Sequence, residues 1–146
     1  MRVWNLFIYA MKNMTKFEGR ACRMEAISFL LVVLLVDLIG FLLAFGLVAM
    51  ADSNSPISAI PVLPVISIIL FFICLLLLLI FNLAIIIPSI SLTCRRLHDL
   101  NVSGWLQLIA YIPIISVIGF WVLLVMEYFI PGTEGPNNYG PVSENY

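Results

Sequence analysis

Three long apolar runs alternate with short polar segments along the chain, and each run is long enough to cross a bilayer as a helix. The first, Ala26 to Met50, carries Asp37 as its only charge. A helix of that length rises ~37 Å at about 1.5 Å per residue. The second extends from Val62 or Pro64 to Ile87, with Asn82 as its only strongly polar side chain. The third, Trp105 to Ile130, is interrupted by Gln107, Pro113, Gly119 and Glu127. Those breaks fit one kinked helix or a re-entrant hairpin turning near Pro113 to Gly119, and the kinked helix is the expected form. The pattern predicts an all-α integral membrane helical bundle, a single domain over 1–141 with three transmembrane helices at 26–50, 64–87 and 105–130. A motif loop at 88–104 and a tail at 142–146 complete it.

Ahead of the first run, Val3, Phe7, Ala10, Met11 and Met14 fall on one helical face, with Asn5 and Lys12 on others. This spacing predicts an amphipathic interfacial helix over 3–15. Trp4, Lys12 and Lys16 suit a headgroup layer. A helix docked on the rest of the protein is the alternative.

Composition agrees with the pattern. Of 146 residues, 63% are hydrophobic and 10% charged, and mean hydropathy is +1.14, whereas soluble domains carry roughly 45–50% apolar and about 25% charged residues. Lipid offers no water to backbone polar groups, which favours helices and leaves no length for a large soluble catalytic domain. The seven basic residues flank the apolar runs, so nucleic acid is not an expected partner.

Their placement also predicts orientation. Arg2, Lys12, Lys16, Arg20 and Arg23 precede the first span, Arg95 and Arg96 follow the second, and none occurs in 51–63 or after Ile130. With three crossings, a cytoplasmic amino terminus and an outer carboxyl tail, the positive-inside rule holds throughout. A hairpin in the third segment would return the tail, with Glu134 and Glu144, to the cytoplasm. Ala49-Met50-Ala51 has the small-x-small form of a signal-cleavage site. The first run nevertheless exceeds the roughly 7–15 residues of a signal core, and Glu18 and Glu25 precede it, so a retained span is expected. Cys22, Cys74 and Cys94 have no metal-ligand spacing and read as unpaired thiols.

Two polar segments concentrate the candidate chemistry. In Phe17-Glu18-Gly19-Arg20-Ala21-Cys22-Arg23-Met24-Glu25, Gly19 permits a sharp turn, Arg20 and Arg23 share a helix face suited to phosphate groups, and Glu25 requires a cation. In Arg95-Arg96-Leu97-His98-Asp99-Leu100-Asn101-Val102-Ser103-Gly104-Trp105, a helix continued past Pro88 would place Arg95, His98 and Asp99 on one face. Arg96 would then point about 100° away. One arginine is thus expected to bind Asp99 while the other faces outward. Ser103 is a candidate N-cap for a helix starting at Gly104, and Trp105 an interfacial anchor. His98 beside Asp99 is a weak candidate for a general base, because consecutive helical residues diverge and no nucleophile stands at a recognisable spacing. With one histidine and no cysteine cluster, neither metal nor other cofactor is expected.

Asp37 lies near mid-membrane, where a charge costs roughly 2.5–3.5 kcal/mol. Asn82 is placed much shallower, near the inner end of a helix closing at Ile87, so no direct bond between them is expected. Gly40 and Ala44 form a small-xxx-small pair suited to close packing.

Phe17-x-Gly19-Arg20-x-x-Arg23-x-Glu25, Arg95-Arg96-Leu97-His98-Asp99-x-x-x-Ser103-Gly104-Trp105 and Gly135-Pro136-Asn137-Asn138-Tyr139-Gly140 together resemble the small bacterial inner-membrane proteins of domain of unknown function 805. The likeness runs from about Asn5 to Pro141. It departs at Ala26-Ile27, where that family usually has aromatic residues. The resemblance implies a bacterial inner (plasma) membrane location and a common site for the three segments, with no reaction to carry over. The leading reading is a non-enzymatic multi-pass protein in which Arg20, Arg23, Arg95 and Arg96 bind anionic lipid headgroups or a partner protein. A small transporter or its accessory subunit using Asp37 is the alternative, and a membrane enzyme using His98 and Asp99 the third. Membrane lipids, a second copy of the chain or another membrane protein are the expected partners.

Overall fold

A computed structural model describes residues 3–51 and 62–142. Arg2, the 52–61 segment with Asp52, and Glu144 lie outside the described residues. The structure is a helical bundle: α1 (Val3–Lys12), α2 (Arg23–Ala51), α3 (Val62–Asp99), a 3-10 helix (Gly104–Tyr111) and α4 (Ser116–Tyr128). The all-α membrane architecture expected from the sequence is present, with α2 and α3 long and apolar enough to cross a bilayer and α4 a shorter apolar helix. The chain forms two compact units, one of Met1–Val32 with Ile86–Tyr146 and the other of Val33–Ile85.

In the Val33–Ile85 unit, α2 and α3 run antiparallel. A Cβ on Gly40 would overlap the Leu78 side chain, so glycine is what lets the helices approach there. The Cys74 thiol donates to the Gly40 carbonyl at 3.6 Å, and Ala44 is buried. Asn82 Nδ2 donates to Asp37 Oδ1 at 3.0 Å, which corrects the expectation that the two do not meet. The expectation ended the second helix at Ile87. The helix instead runs on to Asp99, so Asn82 stands seventeen residues from its end and Asp37 fourteen from the start of α2. The two side chains are therefore at similar depth.

Pro88 lies inside α3. It lacks an N–H and leaves the Ala84 carbonyl without its helical donor, yet α3 continues, because Ser91, Leu92, Cys94 and Leu97 beyond it are buried in the other unit. There α1 docks by Leu6, Phe7 and Ala10, with the Phe7 ring stacked on Phe29 at 5.6 Å. The docked edge differs from the expected face, for Val3 and Met14 are exposed, as is Trp4. The Ser91 hydroxyl donates to the Asn13 and Lys16 carbonyls at 3.2 and 2.5 Å. This fastens the 13–22 connection along α3.

The 105–130 segment is not one kinked helix. The Ser103 side chain accepts from the Trp105 amide to start a 3-10 helix, which ends where Ile112 turns extended at φ −81°, ψ 115°, the conformation that a following proline enforces. After this turn α4 runs back along the 3-10 helix, forming the hairpin alternative. Gly119 makes the close approach possible, because a Cβ there would lie 2.8 Å from the Ile109 carbonyl oxygen.

Gly119→Leu is therefore expected to force the hairpin open at a cost of about 1–3 kcal/mol. Gly46, whose Cβ position is open, accepts alanine without loss. Thermal unfolding of both variants in detergent checks the contrast.

Candidate functional site

Asp99 occupies the last turn of α3 and is fully buried. Its Oδ1 accepts from Arg20 Nε at 2.8 Å and its Oδ2 from Arg96 Nη1. Both guanidinium groups have no exposed side-chain surface. One carboxylate cannot neutralise two buried cations, and backbone carbonyls supply the remaining negative potential. Arg20 Nη1 donates to the Gly135 carbonyl and Nη2 to the Thr133 carbonyl, each at 2.6 Å. Arg96 Nε donates to the Glu127 carbonyl at 3.0 Å and Nη2 to that of Ile130. The Glu127 and Ile130 carbonyls lie at the carboxyl end of α4, where a helix leaves oxygens without donors and its dipole favours cations.

Arg95 makes a second pair. Its Nη1 donates to Glu25 Oε1 at 2.9 Å, with 5% and 0% of the two side chains exposed. The expectation for the two arginines is therefore reversed. Arg96 pairs with Asp99 three residues on, Arg95 turns to Glu25 on α2, and neither faces outward. Of the four arginines expected to meet a headgroup or partner, Arg20, Arg95 and Arg96 are buried in internal bonds. Only Arg23 is exposed, with Nη1 donating to the Phe129 carbonyl at 3.3 Å.

The carboxyl-terminal segment returns to the same place. Thr133 donates to the Asp99 carbonyl from both its amide and its hydroxyl at 2.9 Å. Asn137 Nδ2 donates to the His98 carbonyl at 2.8 Å, and the Asn138 amide to Asn101 Oδ1 at 3.4 Å. The Tyr139 ring stacks on His98, centroids 4.0 Å apart. Gly135 and Gly140, at φ 74° and 124°, permit the turns that bring these groups back. The three polar segments thus meet in one unit.

The remaining motif positions have local duties. Gly19, at φ 84°, makes the predicted turn, and its carbonyl lies 3.3 Å from His98 Nδ1. Gly104 is buried, and a Cβ there would overlap Cys94 Sγ. Cys94 Sγ is also 3.8 Å from His98 Nε2; Gly104 thus closes over the sulfur of the one cysteine beside the histidine. Trp105 is 75% exposed, as an interfacial anchor requires. Burial pushes the Cys22 thiol above its ordinary value, away from the reactive thiolate. His98 lies beyond the apolar run of α3, and burial lowers its pKa, opposed by the Gly19 carbonyl.

Beside the cluster is a cavity of about 630 Å³, walled by Ile27, Leu30, Ile90, Leu123, Leu124 and Phe129 among others. Its size and apolar lining are those of ligand pockets. Thr93 and Glu127 supply polar wall, the Thr93 hydroxyl donating to the Glu127 carboxylate at 3.3 Å. Sequence reasoning missed this cavity, because its walls meet only once the third segment folds back.

The family model described as "Protein of unknown function (DUF805)" matches residues 14–141, which include all three polar segments. Inner membrane protein YhaI of Escherichia coli (strain K12) is 38% identical over 58 residues, 40% of this chain and 46% of the relative. Inner membrane protein YhaH of the same strain is 32% identical over 62 residues, 42% and 48%. The chain thus spans about half the length of the curated relatives it matches. No solved structure matches it.

Removing the shared carboxylate takes away the ion-pair partner of two buried cations. Asp99→Ala is expected to cost about 3–5 kcal/mol, read as a fall in Tm, and to free the 131–141 segment for proteolysis. His98 gives a smaller, pH-dependent effect of defined sign. Its folded pKa lies below that of the unfolded chain, near 6.5, so its contribution is intact above that value and is lost as pH falls through the lowered one. Thermal stability should decline on acidification from pH 7 to 5, and His98→Gln should remove that part of the decline.

Proposed function

The chain belongs to the DUF805 family, and from that premise we propose that it is a non-enzymatic inner-membrane protein that holds an anionic lipid at its cytoplasmic rim. The observation that carries this reading is the cavity with a cation at its edge. Arg23, exposed, bonds the carbonyl of Phe129, which also lines the apolar space. An anionic headgroup on Arg23 would place its acyl chain beside Ile27, Leu30 and Leu124. Exposed Lys12 and Lys16 add positive potential to the same unit, each basic group near an anionic surface contributing about 1 kcal/mol. Arg96 acts one step back by holding the end of the hairpin that forms the cavity wall, Arg20 by bonding the segment after it, and Arg95 by tying α3 to Glu25 on α2.

This reading includes a topology. The carboxyl segment bonds to the end of α3, so 131–142 and the Arg95 motif share one side. The count of basic residues assigns that side to the cytoplasm. The chain then crosses twice and the third segment re-enters.

Two measurements test it. A fluorescent reporter fused after Tyr146 should report a cytoplasmic carboxyl terminus, and activity of a periplasm-dependent phosphatase at that position would contradict the topology. In vesicles containing phosphatidylglycerol with a photoreactive acyl chain, wild type should be labelled. Arg23→Ala should lower the labelling about fivefold, a loss of about 1 kcal/mol, and Leu124→Trp, which fills the cavity, should lower it as well. Equal labelling of all three would overturn the lipid site.

A further inference from the structure

Asp37 and Asn82 form a polar pair in a stretch with no cation. No Lys or Arg occurs between Met24 and Cys94, so the carboxyl group has no counter-ion in the Val33–Ile85 unit. Asn82 is exposed and Asp37 half-exposed. Around them the surface is hydrocarbon: Leu34, Leu38 and Phe41 on α2, Leu79, Leu83 and Ile86 on α3, all exposed. Ionisable groups at such depth face a protein interior or water and seldom acyl chains.

The bonds within the pair show what is left over. Asn82 Nδ2 donates to Asp37 Oδ1 and to the Leu78 carbonyl, both at 3.0 Å, which uses its two hydrogens. Asn82 Oδ1 remains as an acceptor. In its protonated form Asp37 has one O–H to donate through Oδ2. Each chain therefore presents one donor and one acceptor side by side, within a single apolar face. A two-fold axis matches donor to acceptor twice, and no second kind of surface is required.

We propose that two copies of this chain associate through the α2/α3 face that carries Asp37 and Asn82, with the Asp37 carboxyl of each copy donating to the Asn82 carboxamide oxygen of the other. The packing between α2 and α3 within a copy, at Gly40 and Leu78, is not disturbed by this contact. The inference is independent of the lipid reading, since it uses neither Arg23 nor the cavity.

The test is Förster transfer between donor- and acceptor-labelled full-length chains in phosphatidylcholine vesicles, followed as lipid dilutes the protein. Wild type should dimerise. Asp37→Leu with Asn82→Leu should weaken dimerisation roughly tenfold or more through loss of two interhelical hydrogen bonds. Asp37→Asn, a neutral isostere that keeps a donor at the same position, should retain it. Leucine at lipid-exposed sites leaves each copy folded, which the single-copy Tm checks. A monomeric wild type, or a double leucine variant that dimerises as well as wild type, would overturn the proposal. So would Asp37→Asn behaving like the leucine variant, because the contact would then need the carboxylate itself.

Discussion

Two buried guanidinium groups share one carboxylate, and the rest of the Met1–Val32 and Ile86–Tyr146 unit is arranged around what that imbalance demands. Arg20, Arg96 and Asp99 carry a net positive charge out of water, where an isolated ion is prohibitively costly. Four backbone oxygens from the 127–135 stretch complete the solvation. They are available only because α4 ends beside α3 and the following residues turn back across it. The charge cluster thus dictates the course of the carboxyl-terminal segment. A planar five-donor group is suited to it, since each arginine reaches three acceptors in fixed directions, which an ammonium does not reproduce.

This explains why so polar a motif lies in so apolar a chain. Nearly every side chain from Arg95 to Asp99 is occupied in holding another segment: Glu25 through Arg95, the end of α4 through Arg96, Tyr139 through His98, Arg20 through Asp99. Gly104 closes over Cys94. Most polar atoms of the cluster bond one another or the backbone, while Arg95 Nε and Nη2 are buried without an acceptor. Among the described residues of the polar segments, Arg23 remains exposed.

Much of this was legible in the sequence. Hydropathy and length located α2 and α3, the polar segments were singled out by contrast with their surroundings, and the small pair Gly40 and Ala44 marked the close contact of the helices. Local rules failed where a residue far away decided the outcome. Helical phase placed Arg95 with Asp99, but Glu25 on another helix drew Arg95 away, leaving Arg96 for the carboxylate. Ending the second helix at Pro88 misplaced Asn82, because burial of Ser91 to Leu97 carries α3 through the proline. Pro113 and Gly119 admitted either a kink or a hairpin. What separates the two is the demand of Arg96 for the carbonyl oxygens of Glu127 and Ile130, a long-range condition invisible to periodicity.

The return of the carboxyl-terminal segment to the end of α3 is most directly read at the stacked pair. The chain has one histidine, so its imidazole gives a single proton-NMR signal set in detergent micelles. With the Tyr139 ring 4.0 Å away and nearly parallel, those resonances should be shifted upfield, should show cross-relaxation to the tyrosine ring, and should move back in Tyr139→Leu. Histidine resonances at free-imidazole positions that Tyr139→Leu leaves unchanged would contradict the account.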